Sequence, residues 1–408
     1  MKTLLFAPET FNLAETTRMI EVAKACKPQA NCFFIGYSRE FSALIEAEGF
    51  PFTLLSPELT SQDITVIMKF DQGKSLKNPF TYDLLKKRIE AELQIITTLK
   101  PDAIIIGSTI SLLISARVAK VPLAYAKPFA LSRGHIESSE FLKKKIGRRL
   151  IQRIALSIKW LPKDMKRLIK EYDVSEYFNY TIDALDADLN GITTPELFTN
   201  HSKLPSNSCY VGPIFAHLKK EIPETVQSLI NKHKRPLIFC SLGSSANSEL
   251  VYQVLSHFDG LDVDVISPMS YFLTTEQRQT LPSNVHLYDW LPALEIQEQV
   301  DVSVLHGGEG TIQTACFSGK PFIGIGLQAE QSYNIACCVN YGNAKAFPLR
   351  QIKRRSAFQQ AVTDLLTDQA LLSHATKLKQ LLEQEEPGAE KMAQAIFNFL
   401  STKNKKVL

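Results

Sequence analysis

No stretch of this chain is apolar for long enough to cross a bilayer. The longest apolar region, residues 103–116, is interrupted by polar side chains and followed by Arg117 and Lys120, whereas a spanning helix needs about 20 apolar residues. The N-terminus offers one lysine and a short apolar run before Pro8 and Glu9, too little for a secretory signal. Cysteine is sparse and scattered. Cys26, Cys32, Cys209, Cys240, Cys316, Cys337 and Cys338 are odd in number, and none stands in C-x-x-C spacing. That excludes a disulfide framework and a thiolate metal site, and it predicts buried free thiols in a reducing compartment. A charge excess is missing as well. Forty-six basic residues meet 42 acidic ones for a net charge of +4, which gives no reason to expect nucleic acid as a partner. There is no internal repeat or low-complexity tract. The expectation is a cytoplasmic globular protein.

What is present is length and alternation. At 408 residues the chain exceeds what one hydrophobic core usually supports, so two domains are expected. Short β-rich runs at residues 3–7, 31–36 and 103–107 alternate with helix-compatible stretches at 16–26, 39–48 and 81–99. A second series of strands is expected at 237–241, 263–267, 302–305 and 322–325, after the charged stretch 219–235. Alternation of this kind is the mark of doubly wound parallel sheets, and the fold class is α/β. Residues 388–400 are amphipathic and predict a last helix, with a frayed tail over 401–408.

The most informative segment is His306-Gly307-Gly308-Glu309-Gly310-Thr311, which follows the apolar run 300–305 and leads into a helix-compatible stretch. Glycines let the backbone approach a ligand closely, and the unpaired N–H groups of a helix start favour an anion. The next apolar run, 321–327, leads into Glu330-Gln331, with Asn334 one helical turn later. Two strand ends then carry two polar clusters on one rim of a sheet, where open α/β sheets bind ligands.

Residues 290–342 carry a resemblance to the donor-binding signature of family 1 glycosyltransferases of the GT-B fold. Val211-Gly212-Pro213 resembles that family's interdomain join, and residues 236–245 (PLIFCSLGSS) resemble its first C-domain strand and serine-glycine loop. The resemblance is specific in the C-terminal half and vaguer before residue 200. It implies two Rossmann-like domains facing each other across a cleft: an acceptor-binding domain over 1–212, a nucleotide-sugar-binding domain over 213–386, and a helix and tail over 387–408 that cross back to the first domain. It also implies roles. His306 contacts the donor diphosphate; Gly308, Glu309, Gly310 and Thr311 surround the phosphates; Glu330, Gln331 and Asn334 read the sugar. Trp290 stacks on the base and the Leu291 backbone reads its edge, while Gly243, Ser244 and Ser245 line the opposite side. Pro292-Ala293 stands where the family often has a glutamine, which leaves the base less defined than its presence.

No metal and no cofactor beyond the nucleotide sugar are expected, because a helix N-terminus and His306 can meet the leaving-group charge. Asp262-Val263-Asp264 imitates an acidic metal motif, but its alternation with valines reads as a strand leaving a turn. Asp183, Asp186 and Asp188 read as a solvated helix end. The resemblance also implies a catalytic histidine before the first helix and an aspartate after a later strand. Counting along this sequence, those places fall on Glu15 and Ser108, so both members of the dyad are absent. Inverting transfer needs a group to take the acceptor's proton. Glu15 is the candidate base, although a carboxylate near a helix N-terminus is held in its charged form; His135, after Gly134, competes for the role.

Ser108, Phe129 and His135 are the expected acceptor-side residues. Residues 141–160 crowd basic side chains, among them Lys143, Lys144, Lys145, Arg148, Arg149 and Arg153, beside apolar ones at helical spacing. The segment reads either as a helix covering the first domain with a solvated basic face, or as a peripheral membrane contact on the inner face of the membrane that admits a lipid acceptor. The activity expected is inverting, metal-independent transfer of a sugar from a UDP-linked donor to a small-molecule or lipid acceptor. The alternatives are a catalytically degenerate binding or activating subunit and a sugar-nucleotide epimerase.

Overall fold

The computed structural model describes residues 1–71, 75, 78–138, 147–215, 221–232 and 234–405. The chain divides into two compact units, one of Met1–Ala216 with Pro387–Leu408 and one of His217–Glu386.

The first unit is built on β1 (Lys2–Ala7), β2 (Ala30–Gly36), β3 (Phe52–Leu54), β4 (Ala103–Ile106), β5 (Leu123–Lys127), β6 (Leu189–Ile192) and β7 (Ser208–Tyr210). All pair in parallel, in the order β3-β2-β1-β4-β5-β6-β7. Central strands buried on both faces must be apolar throughout; Leu4, Leu5 and Phe6 of β1 and all four residues of β4 comply. Strand order reverses between β1 and β4, so the loops leaving these two strands open side by side at the C-terminal rim. Those loops lead into the helices Leu13–Cys26 and Leu112–Val118.

The helix Gly388–Lys405 closes this unit. Met392, Ala393, Ile396 and Leu400 are buried on one stripe of it, at the three- and four-residue spacing of a helix face. Burial of each larger side chain stabilises by about 1.5–3 kcal/mol. Gly191 in β6 makes room for this packing, since a Cβ there would lie 2.4 Å from the Met392 sulfur. The helix runs on to Lys405 and corrects the expectation of a frayed tail from residue 401. The stretch 39–48 shortens to a helix over Ser42–Ala47.

The second unit repeats the architecture with β8 (Leu237–Ser241), β9 (Asp264–Ser267), β10 (Val285–Leu287), β11 (Val302–Leu305), β12 (Phe322–Gly324) and β13 (Ala344–Ala346). The parallel order is β10-β9-β8-β11-β12-β13. Its reversal lies between β8 and β11, whose last residues Ser241 and Leu305 are in register. Among the described residues no helix is long and apolar enough to cross a membrane.

Candidate active site

In the second unit the two loops at the strand reversal meet around one side chain. His306 follows β11 and is 9% exposed. Gly243, in the loop after β8, has φ +59, and a Cβ on it would lie 2.4 Å from the His306 ring; a Cβ on Gly308 would lie 2.5 Å from Nε2. The imidazole therefore fills a slot that only two glycines can form. Burial pushes its pKa down to about 4, with the Ser241 backbone opposing the shift, so the ring is neutral at pH 7. Nδ1 is buried without a hydrogen-bond partner in this arrangement.

Directly after this slot the helix Glu309–Ser318 begins, with Gly308 as its N-cap and no side chain capping it. A Cβ on Gly310 would meet nothing within 4 Å, so the first turn faces open space. Uncapped N–H groups at such a start carry partial positive charge.

The helix Ala329–Tyr341 supplies the rest of the rim. Asn334 Nδ2 donates to the Gly307 carbonyl at 3.1 Å and to Glu330 Oε1 at 2.5 Å, which ties this helix to the glycine turn. The buried Gln331 spends its amide on the protein. Oε1 accepts the Leu327 N–H at 3.0 Å, and Nε2 donates to Ser245 Oγ at 2.9 Å and Gln328 Oε1 at 3.3 Å. Gly243, Ser245, His306, Gly308, Glu330, Gln331 and Asn334 are thereby joined in one cluster. Gly307 is required there too: its φ is +89 and a Cβ would lie 2.8 Å from the Gln331 carbonyl. Trp290 is half-buried between β10 and the helix Ala293–Gln297, beside the buried Leu291, and Ser244 is exposed.

In the first unit the reversal between β1 and β4 joins Glu15 to Ser108. Glu15 lies in the first turn of the helix Leu13–Cys26, whose N-cap Asn12 accepts the Glu15 N–H at 3.2 Å. Its carboxylate takes the Glu9 N–H at 2.7 Å and the Ser108 N–H at 3.0 Å on Oε1, and the Ser108 hydroxyl at 2.7 Å on Oε2. Desolvation dominates these hydrogen bonds and raises the carboxyl pKa above its ordinary 4.5, with the nearby Glu9 charge adding to the rise. The weakening expected from the helix dipole is thus overridden by burial. Beside Glu15 lies a cavity of about 30 Å³ bordered by Arg18, Met19, Ile106, Gly107 and Tyr125, room for about one or two water molecules.

His135 sits elsewhere, on the short helix Arg133–Glu137, with its ring edge against Phe129 at 5.5 Å and its N–H capped by Ser132 Oγ. Phe129 is fully buried and also stacks on Tyr210.

Residues 252–398 match the family described as Erythromycin biosynthesis protein CIII-like, C-terminal domain. A PGL/p-HBAD biosynthesis glycosyltransferase of Mycobacterium tuberculosis is 27% identical over 348 residues, covering 81% of this chain and 77% of that one. A protein of Mycobacterium bovis described as an inactive PGL/p-HBAD biosynthesis glycosyltransferase is 27% identical over 269 residues, covering 62% and 70%. The solved structure of glycosyltransferase VinC in complex with DTDP superposes with a TM-score of 0.67 at 13% identity, covering 98% of this chain and 100% of that one. The chain is a glycosyltransferase with the GT-B fold, and its sequence is similar to family 1 enzymes.

Within this glycosyltransferase the aspartates at 183, 186 and 188 take a different role from the one expected, whereas Asp264 opens β9 after a turn as expected. Asp183, Asp186 and Asp188 are not a solvated helix end. Asp183 and Asp186 pair with Arg133, Asp186 also holds the buried Lys127 at 3.0 Å, and Asp188 accepts two bonds from Arg117 and the Leu123 N–H. Asp264 is claimed by Arg235 and His286. No group of acidic, histidine or cysteine side chains suited to a metal occurs among the described residues. Lys143, Lys144 and Lys145 lie outside the described residues.

Sequence reasoning missed two parts of the Glu15 site. Gly107 is essential to it, because a Cβ there would lie 1.7 Å from Glu15 Oε1; the signal was a glycine ending the strand AIII. Arg18, one turn beyond Glu15 on the same helix face, reaches the Ala126 carbonyl at 3.5 Å and borders the cavity.

Proposed function

We propose that this enzyme transfers a sugar from a nucleoside-diphosphate donor, UDP-linked, to a small-molecule or lipid acceptor, with inversion and without a metal ion. The observation that carries the reading is the neutral His306 imidazole, held between Gly243 and Gly308 at the start of an uncapped helix. A neutral ring can donate one N–H to a diphosphate oxygen, and the first-turn N–H groups of Glu309–Ser318 receive the charge that develops on the leaving group. Such donors serve where a cation would otherwise be needed. Glu330 and Asn334 read sugar hydroxyls, and Trp290 offers a face to the base.

In the chemical step the acceptor hydroxyl gives its proton to the Glu15 carboxylate as its oxygen bonds to the anomeric carbon. The bond from that carbon to the diphosphate breaks, and its electron pair leaves with the nucleoside diphosphate. The raised pKa of Glu15 supports this role, since a base works best when its pKa approaches the working pH. The Ser108 hydroxyl and the Glu9 N–H orient the carboxylate. A nucleotide-sugar donor fits a cytoplasmic enzyme.

Incubation with labelled UDP-sugars and a panel of phenolic and lipid acceptors tests the reading. Inverted anomeric configuration in the product, full activity in EDTA and loss of turnover in Glu15→Gln are the expected results; a retained anomer or a metal requirement would refute it. A degenerate, non-catalytic subunit is the second reading. The similarity to a protein described as inactive favours it, together with Glu15 and Ser108 standing where the family pattern has histidine and aspartate. Donor binding without turnover on any acceptor would select it.

A further inference from the structure

The surface of the first unit after residue 147 combines exposed apolar side chains with one sign of charge. The helix Arg148–Ser157 has no buried residue. Leu150 is 64% exposed, Ile154 54%, Ile158 44% and Trp160 66%. Leu150 and Ile154 are four apart on one helix face, and Ile158 continues the spacing beyond it. Large apolar side chains are usually covered in a folded protein, and a contiguous exposed set marks a contact surface.

The segment that presents them is hydrogen-bonded to the body of the unit. Ile158 and Trp160 lie in non-helical chain that Thr181 holds at three points: the Ile158 carbonyl accepts the Thr181 N–H at 2.7 Å, the Trp160 N–H donates to Thr181 Oγ1 at 3.0 Å, and that hydroxyl donates to the Trp160 carbonyl at 2.5 Å. The Trp160 backbone is held while its side chain stays exposed. Tyr180, also exposed, carries Lys159 over its ring at 5.5 Å. An exposed tryptophan and tyrosine beside basic residues form the composition found at the water–lipid boundary.

Charge selects the partner. Residues 148–170 contain eight basic side chains and one acid, Asp164. Arg149, Arg153 and Lys159 flank the apolar side chains and are exposed, as are Lys163, Lys166 and Lys170 on the following helix, Lys163–Glu171. We propose that this face docks the protein on an anionic membrane surface, with Leu150, Ile154, Ile158 and Trp160 entering the headgroup boundary and the basic side chains meeting lipid phosphates and carboxylates. An amphipathic helix lying in the interface plane has this distribution. The inference stands apart from the transfer reading and needs no activity to test.

The full chain is mixed with vesicles of phosphatidylcholine alone or with phosphatidylserine at about 30%, at salt of about 0.05 M and about 0.5 M to change the screening length. Cosedimentation with the anionic vesicles at low salt only is expected. Arg149→Gln with Arg153→Gln should lower partitioning by more than about tenfold, and the triple substitution Leu150→Ser, Ile154→Ser, Trp160→Ser should abolish it. In a Trp290→Phe background, the emission of Trp160 should shift to the blue on addition of anionic vesicles. No cosedimentation at low salt overturns the proposal, as does undiminished binding by the triple variant. Concentration-dependent dimerisation lost in that variant, without vesicle binding, would assign the face to a second copy and overturn it as well.

Discussion

The Glu15 carboxylate accepts the Ser108 hydroxyl at 2.7 Å across 93 residues of sequence. The two positions on which the resemblance implies a histidine and an aspartate are thus in contact, with an acid at the helix start and a neutral hydroxyl donating to it. Burial and the backbone N–H groups of Glu9 and Ser108 set opposing pulls on its charge, and burial prevails.

Replacing Glu15 by Gln keeps the shape and removes the proposed base. Turnover should fall by about 10²–10⁴-fold while donor affinity stays within about twofold of the wild type. In the wild type, protonation of a carboxyl whose pKa lies above 4.5 should switch activity off as pH falls, with the acid limb of kcat/KM above the ordinary carboxylate range. A pH–rate profile of both proteins checks this; unchanged turnover in the variant contradicts it.

Gly107→Ala should act on the same carboxylate without touching its chemistry. Its Cβ would stand 1.7 Å from Glu15 Oε1, so the side chain must leave the Ser108 and Glu9 contacts. Turnover should fall at least about tenfold, as expected when a reacting group is misplaced by about 1 Å, with donor binding retained; steady-state kinetics beside donor titration measures both.

Glycines around His306 should differ sharply in tolerance. Gly243→Ala and Gly308→Ala place a Cβ within 2.5 Å of the imidazole, whereas Gly310→Ala meets open space. The first two should weaken donor binding by at least about tenfold, equivalent to about 1.4 kcal/mol, and Gly310→Ala should leave it close to wild type. Calorimetric titration of the three variants with one nucleotide sugar decides.

A buried network away from the chemistry gives the fold a pH signature. Glu92 is fully buried and accepts hydrogen bonds from Tyr37, Ser111 and Ser115. Desolvation raises its pKa from 4.5 to about 7, against the pull of those bonds. The native state thus binds a proton that the unfolded chain has lost between these pH values. Stability is fully present below the unfolded pKa and is lost as pH rises through the folded one, by up to about 3 kcal/mol. Urea unfolding at pH 5 and pH 8 should show this decline, and Glu92→Gln should flatten it; a slope unchanged in the variant would contradict the assignment.

Much of the architecture is legible because β1, β2, β4, β8 and β11 are mostly apolar and mostly buried, and alternate with amphipathic helices. The strands that escape reading have physical reasons to do so. β3, β7, β10 and β13 are three residues long, and unlike the equally short β12 they do not sit in an apolar run as long as 321–327. β6 is LNGI, whose Asn190 is buried yet satisfied by the Ala187 backbone and whose Gly191 yields to Met392. The place of His306 follows from the order strand, glycine turn, helix. Its slot does not, because Gly243 comes from a different strand and only the β8–β11 pairing brings it near. The aspartates at 183 and 186 look solvated in sequence because their partners, Arg133 and Lys127, lie at least 50 residues away.

Isothermal titration with a panel of UDP-, TDP- and GDP-sugars in EDTA, on the wild type and on His306→Ala, tests the central claim most directly. A UDP-sugar should bind without a metal ion, and the variant should lose at least about tenfold in affinity, or about 1.4 kcal/mol. Absence of binding across the panel, or equal binding by the His306→Ala variant, would contradict the assignment of this cluster as the donor site.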